Sequence, residues 1–163
     1  MELTIVVPAY NEESSIRDTI KSIKKYVPNC KIIVVDDCSK DKTKDIAKEE
    51  KVKVISHSIN KGYGAALKTG MLAAKTKYVG FLDADMTYSP MYFPLMLGYA
   101  KKFDLDCIWG NRFAGKKNKM PFVRKIGNKM ISLIFWLITN KNVGDCSSGQ
   151  RILKTSALKK LNL

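Results

Sequence analysis

Short apolar runs alternate with helical apolar stripes along this chain. Leu3–Val7 is a mostly apolar run of strand length. Ile16, Ile20, Ile23 and Val27 then recur at helical spacing, which predicts a helix from about Glu13 to Tyr26. Lys31–Val35 predicts a second strand, and Ser39 or Asp41 is placed to cap the helix that carries Ile46 and Ala47. Val52–Ser56 predicts a third strand. Gly62 and Gly64 open an alanine-rich helix ending near Lys75, and Tyr78–Leu82 predicts a fourth strand. Ser89-Pro90 supplies a cap and a proline suited to a first helical turn, and Leu105–Trp109 predicts a fifth strand. Such β-α-β-α alternation predicts a parallel sheet covered on both faces. No repeat or low-complexity linker breaks it.

The residues that end these strands turn architecture into chemistry. Tyr78-Val79-Gly80-Phe81-Leu82 runs straight into Asp83-Ala84-Asp85. Two carboxylates one residue apart at a strand's C-terminal end suit a hard cation such as Mg²⁺ or Mn²⁺, which takes oxygen ligands and shares them with substrate phosphates. An isolated pair of this kind is more often a polar turn. Here Val6-Val7-Pro8-Ala9-Tyr10-Asn11-Glu12 and Val34-Val35-Asp36-Asp37-Cys38-Ser39 also end apolar strands in acidic or polar residues. Strands that deliver such residues at their C-terminal ends describe a ligand crevice in an open α/β sheet.

Composition narrows the setting. A chain of 163 residues suits one domain with a real core. The net charge of +14, from 29 basic and 15 acidic residues, implies an anionic partner: nucleic acid, anionic lipid or phosphorylated ligands. A solvated lysine-rich surface accounts for most of the lysines. The cysteines at 30, 38, 107 and 146 lack C-x-x-C spacing and read as free thiols of a reducing compartment. His57, the only histidine, reads as a surface residue after a strand, which leaves triad and zinc-histidine chemistry little support. With a strand pattern from Leu3, no leader segment is expected. No apolar stretch reaches the roughly 20 residues of a membrane-spanning helix.

After Gly110 the character shifts. Lys116, Lys117, Lys119, Arg124, Lys125 and Lys129 precede the apolar run Met130–Thr139, which contains Phe135 and Trp136. A basic stretch leading into an aromatic-containing apolar helix suits a membrane interface. A helix packed on the sheet is the other reading.

VVPAYNE at 6–12, VVDDCSKDKT at 34–43, NKGYGAALKTG at 60–70, FLDAD at 81–85, GNRF at 110–113, PFVRK at 121–125 and SSGQRILK at 147–154 occur in this order over nearly the whole chain. Together these blocks resemble glycosyltransferase family 2, with a nucleotide-diphospho-sugar domain of the GT-A type. Within that family they are most similar to the polyprenyl-phosphate (dolichol-phosphate) mannose synthases. The resemblance implies an α/β GT-A fold: a mostly parallel sheet with helices on both faces. It implies a single catalytic domain over 1–163, with an interface segment at 116–139. The family's fold usually continues further, so the domain is expected to be short at its C-terminus, as either a truncated homologue or one whose site a partner completes.

By the same resemblance, Asp83 and Asp85 hold the metal and its diphosphate, with Ala84 between them in the donor site. Pro8, Tyr10 and Glu12 match a nucleotide-binding first loop, and Val35 and Asp37 a base-recognising second loop. A carboxylate can accept the ring N–H of uracil or the N–H groups of guanine. Capping of helix N-termini is the plainer role for Glu12 and Asp37. Arg112 and Arg124 match arginines that meet donor or acceptor phosphate, where a permanently charged planar fork binds bidentately. Thr87 stands where related synthases carry a glutamine that assists the metal. Asp145 precedes a loop on the acceptor side.

The implied activity is inverting, metal-dependent transfer of a hexose, mannose foremost, to polyprenyl phosphate at the cytoplasmic face of a membrane. GDP-mannose is the implied donor, with UDP-sugars as the alternative. Competing readings are a family 2 transferase with a saccharide or protein acceptor, and an inactive nucleotide-sugar-binding or membrane-docking module. A sugar nucleotidyltransferase would carry a glycine-rich basic loop where this chain has PAYNEE. Nucleic-acid binding would explain the charge but not the acidic strand ends, and no nucleic-acid motif is present.

Overall fold

The computed structural model describes residues 1–111, 122–140, 145 and 148–160, with backbone only for 122–125. The strands are β1 (Leu3–Ala9), β2 (Cys30–Asp36), β3 (Lys53–Ser56), β4 (Tyr78–Phe81), β5 (Cys107–Trp109) and β6 (Arg151–Lys154). The helices are α1 (Ile16–Tyr26), α2 (Thr43–Glu49), α3 (Tyr63–Ala73), α4 (Phe93–Lys102), α5 (Phe122–Thr139) and α6 (Thr155–Lys160). A single 3₁₀ turn, Pro90–Tyr92, leads into α4, with Pro90 in the first-turn position where its missing N–H costs nothing.

The sheet order is β3-β2-β1-β4-β6-β5. β1 pairs in parallel with β2 and β4, and β2 with β3. β6 departs from the simple alternation: it inserts antiparallel between β4 and β5. The predicted fifth strand therefore reaches the sheet only through β6. The sheet is mixed and mostly parallel, in agreement with the GT-A expectation.

β1 is buried at every position, as a central parallel strand must be when helices cover both faces. Its side chains alternate between two cores. Leu3, Ile5 and Val7 face Ile16, Ile20 and Ile23 of α1 and Phe93 of α4. Val6 faces Ala66 of α3 and Leu158 of α6. Each fully buried Ile or Val there contributes roughly 1.5–3 kcal/mol relative to exposure. Close approach needs small residues. A Cβ on Gly70 of α3 would lie 2.2 Å from Val6 Cγ1, and one on Gly80 of β4 2.8 Å from the Phe93 ring.

Direction reverses in the strand order between β1 and β4. The connections leaving those paired strands therefore diverge and leave a crevice outside their C-terminal ends. α5 behaves differently from the other helices. Met130, Ile131, Leu133, Ile134, Trp136, Leu137 and Ile138 are all exposed, so the sheet does not cover its apolar run. Among the described residues no helix is long and apolar enough to cross a membrane.

Candidate functional site

The loops leaving β1 and β2 are knitted into one another. The Asn11 N–H donates to Ser39 Oγ (3.0 Å), and the Lys40 N–H returns to Asn11 Oδ1 (2.9 Å). The Glu12 N–H donates to Thr43 Oγ1 (2.7 Å), and the Lys42 N–H to Glu13 Oε2 (3.0 Å). Asn11 sits at φ 56°, a left-handed conformation that asparagine tolerates well. At the start of α2 it is Asp41, not Ser39, that receives the Thr43 N–H (2.9 Å).

Above these loops lies an open pocket of about 400 Å³ at the β1–β4 crevice. Pro8, Tyr10 and Glu12 line it from β1, and Asp37 from β2. Gly62 and Tyr63 line it from the start of α3, and Asp83, Ala84 and Asp85 from β4. Of the residues assigned to nucleotide, metal and phosphates, the structure thus brings together Pro8, Tyr10, Glu12, Asp37, Asp83, Ala84 and Asp85, but not Val35, Arg112 or Arg124. The Val35 side chain is buried against α3 and is not part of the pocket wall. Arg112 lies outside the described residues, as do Lys116, Lys117 and Lys119, while Arg124 is on α5 with its side chain undescribed.

Asp83 and Asp85 are held by their surroundings. Thr19 of α1 donates to the Ala84 carbonyl (2.8 Å), pinning the short segment between them. Tyr63 donates to Asp83 Oδ1 (2.6 Å), while the Thr87 N–H donates to Asp85 Oδ1 (2.9 Å). Met86, at φ 61°, makes the tight turn that allows the latter bond. Desolvation of the hydroxyl first, then its bond to Asp83, pushes the Tyr63 phenol above its ordinary range, although the residue as a whole is half exposed, and the hydroxyl donates to that carboxylate. Gly149 backs this carboxylate: a Cβ there would lie 2.4 Å from Asp83 Oδ2. Its N–H donates to Tyr88 Oη (2.7 Å), and Gln150 Nε2 donates to the Ser89 carbonyl (2.9 Å). Ser89 thus acts through its carbonyl, and its side chain makes no cap bond to the turn. Asp145, expected on the acceptor side, is buried, and its carbonyl accepts the Ser148 N–H.

These residues fit a divalent cation. Two carboxylates from one strand end, open to a pocket of ligand size, form a hard oxygen set. No cluster of three or more His, Cys, Asp or Glu is found among the described residues. Two carboxylates suit a site in which Mg²⁺ takes one or two carboxylates and fills its remaining positions from substrate phosphates and water.

Glu12 and Asp37 combine helix-end and pocket positions. Glu12 Oε2 accepts from Ser15 Oγ (2.8 Å), and its carbonyl receives the Ser15 and Ile16 N–H groups at the entry to α1. Asp37 accepts the Lys61 and Gly62 N–H groups (2.9 and 2.7 Å), at the entry to α3 rather than α2. Gly62 supplies φ 86° there, which side chains resist. Burial pushes the Asp37 carboxyl up, but those N–H bonds and His57 together hold it below its ordinary value.

Sequence reasoning missed His57 and Tyr63. His57 is not a surface residue: its side chain is 6% exposed and bonds Asp37 Oδ1 at 2.6 Å. Its partners are distant in sequence, so only topology reveals the pairing. Arg151 of β6 also lies close by, with its guanidinium over the Phe81 and Trp109 rings (5.8 and 5.5 Å). The thiols Cys30, Cys38 and Cys107 are unpaired, and burial pushes Cys30 up to about 11.

The model of the family described as Glycosyl transferase family 2 matches residues 4–162. UDP-N-acetylglucosamine–dolichyl-phosphate N-acetylglucosaminyltransferase of Methanococcus voltae is 31% identical over 180 residues, covering 97% of this chain and 71% of that protein. Dolichyl-phosphate hexose transferase of Haloferax volcanii is 27% identical over 157 residues, covering 96% and 68%. The crystal structure of glucosyl-3-phosphoglycerate synthase from Mycobacterium tuberculosis, with Mn²⁺, uridine-diphosphate-glucose and phosphoglyceric acid, shares the fold. Its TM-score is 0.74 at 22% identity, over 96% of this chain and 57% of that one. The chain thus spans between 57% and 71% of the length of these proteins. With its acidic strand ends gathered at the crevice of a GT-A sheet, this chain belongs to glycosyl transferase family 2 and is similar to the polyprenyl-phosphate sugar transferases within it.

Proposed function

We propose that the chain carries the catalytic site of an inverting, metal-dependent hexosyltransferase. It takes a nucleoside-diphosphate sugar as donor and a polyprenyl phosphate as acceptor, at the cytoplasmic face of an anionic membrane. The observation that carries this reading is the convergence of Asp37, Asp83 and Asp85 on one pocket at the β1–β4 crevice. The dolichyl-phosphate relatives support the acceptor class. Mannose from GDP-mannose is the donor the sequence resemblance implies. A UDP-sugar is the donor that one relative's name implies.

A phosphate oxygen of the acceptor attacks the anomeric carbon as the diphosphate leaves from the opposite side, inverting that carbon. A polyprenyl phosphate is already substantially ionised near neutral pH, so the step needs no strong general base. Asp83 and Asp85 would hold the divalent cation, which when bound neutralises charge on the leaving diphosphate. Tyr63 and the Thr87 N–H orient the two carboxylates. Arg112 and Arg124 are assigned to the phosphates, and Pro8, Tyr10, Glu12 and Asp37 to the nucleotide. The exposed apolar side chains of α5, next to the basic segment before it, suit docking in a bilayer interface.

The test is a transfer assay with polyprenyl phosphate in anionic liposomes and radiolabelled GDP-mannose, UDP-glucose or UDP-N-acetylglucosamine. Label should pass into the lipid extract with at least one donor and stop in EDTA. Donor binding without transfer would favour an inactive binding module, and transfer to a saccharide or protein would move the acceptor class.

A further inference from the structure

His57 places a largely enclosed imidazole beside the pocket. Its backbone N–H donates to the Asp36 carbonyl (2.9 Å), extending the β2–β3 ladder. This turns the ring inward. Nδ1 lies 2.6 Å from Asp37 Oδ1, and Nε2 lies 2.9 Å from Thr69 Oγ1 on α3. A carboxylate accepts, so Nδ1 carries the proton; the Thr69 hydroxyl can serve Nε2 in either role.

The consequence lies in the lone pairs of Asp37. A carboxylate offers about four acceptor sites, two on each oxygen. On Oδ1, His57 and the Lys61 N–H take both. On Oδ2, the Gly62 N–H takes one. A single acceptor site remains, on the oxygen of a residue that lines the pocket.

We propose that His57 is a positioning and specificity-determining residue: by saturating Asp37 Oδ1 it leaves one acceptor for the donor's base, selecting uracil over guanine. Uracil presents one ring N–H. Guanine presents its ring N–H and amino group side by side, a pair that needs both carboxylate oxygens. With Oδ1 occupied, one guanine donor would be buried without a partner, and unpaired buried donors discriminate strongly. The inference rests on the donor-site reading above and settles the base within it.

The experiment measures binding of UDP, GDP and inorganic pyrophosphate, with Mn²⁺ in excess, to the wild type, His57→Leu and His57→Asn. Pyrophosphate lacks a base and reports the Asp83–Asp85 end alone. The wild type should bind UDP about tenfold or more tighter than GDP. His57→Leu should lose about tenfold in UDP affinity and narrow that preference, with pyrophosphate binding unchanged. His57→Asn keeps an N–H near the place of Nδ1 and should recover most of the loss. Thr69→Val, which frees the far side of the ring, should give a weaker version of the same pattern and serves if His57→Leu does not fold. A wild type that prefers GDP overturns the proposal and leaves the transferase reading standing. Equal losses for UDP and pyrophosphate overturn it too, since they mark a structural role only. A wild type that binds neither nucleotide better than pyrophosphate overturns the donor-site reading itself, and the proposal with it.

Discussion

At the ends of β1 and β2 nearly every polar group is committed. Asn11, Ser39, Asp41 and Thr43 bond across the loops, and Asp37 takes three bonds before any ligand arrives. α5 shows the opposite condition: most of its apolar side chains from Met130 to Ile138 are exposed. The first region is organised in advance for a molecule of fixed shape, where ordering costs have been met by folding. The second offers area without geometry, which suits a fluid apolar phase better than a defined ligand. Substitutions in the two regions should therefore fail in different assays.

The largest effect belongs to the committed region. Asp85 is exposed and, among the described residues, its side chain bonds the Thr87 N–H, so Asp85→Asn leaves the described core untouched. If it holds charge in the transition state, turnover should fall by ~10²-fold or more. The thermal midpoint should stay near the wild-type value. Undiminished transfer, or full activity in EDTA, would remove the metal from the mechanism and erase the catalytic half of the contrast.

Next in size is a stability effect beneath the same pocket. Gly70→Ala would drive a methyl into Val6 and Val35, both buried at 0% exposure. α3 would have to lift from the sheet, and overpacking of this kind costs ~1–3 kcal/mol. Because α3 begins at the pocket with Gly62 and Tyr63, nucleotide affinity should fall along with stability. A urea titration beside a binding titration checks both; loss of one without the other would show that the α3 N-terminus is not rigidly tied to the sheet.

The sequence showed the first region more clearly than its details. β1, β2 and β4 are continuous apolar runs ended by acidic residues, so both their existence and the crevice could be read from pattern. β6 could not: Arg151–Lys154 is a short strand of mixed polarity, and nothing local says that it enters between β4 and β5. α5 starts earlier than its apolar run, because the arginine and lysines before Met130 are good helix formers. Asp37 was legible as a pocket residue, whereas the bonds that restrict it come from positions 57, 61 and 62, after an intervening helix and strand. Arg112 could be singled out only by resemblance, since one arginine in a basic segment has no pattern of its own.

The smallest expected change is in stability on α5, and it sharpens the contrast most. Trp136 is 43% exposed and Phe135 is half-buried, so neither supports a packed core. Replacing both with serine should alter unfolding free energy by no more than ~0.5 kcal/mol, the usual range for surface positions. Binding to liposomes should respond differently. Each basic residue near an anionic surface contributes about 1 kcal/mol, and that part is screened over a Debye length of about 8 Å at physiological ionic strength. The apolar part is not screened. Wild-type protein should therefore need anionic lipid for co-sedimentation and should weaken, without vanishing, as salt rises. The double variant should keep the salt-sensitive part and lose much of the remainder. A large loss of stability would instead mean that α5 packs against protein. If the wild type ignores anionic liposomes at low salt, the lipid acceptor keeps only the support of the relatives.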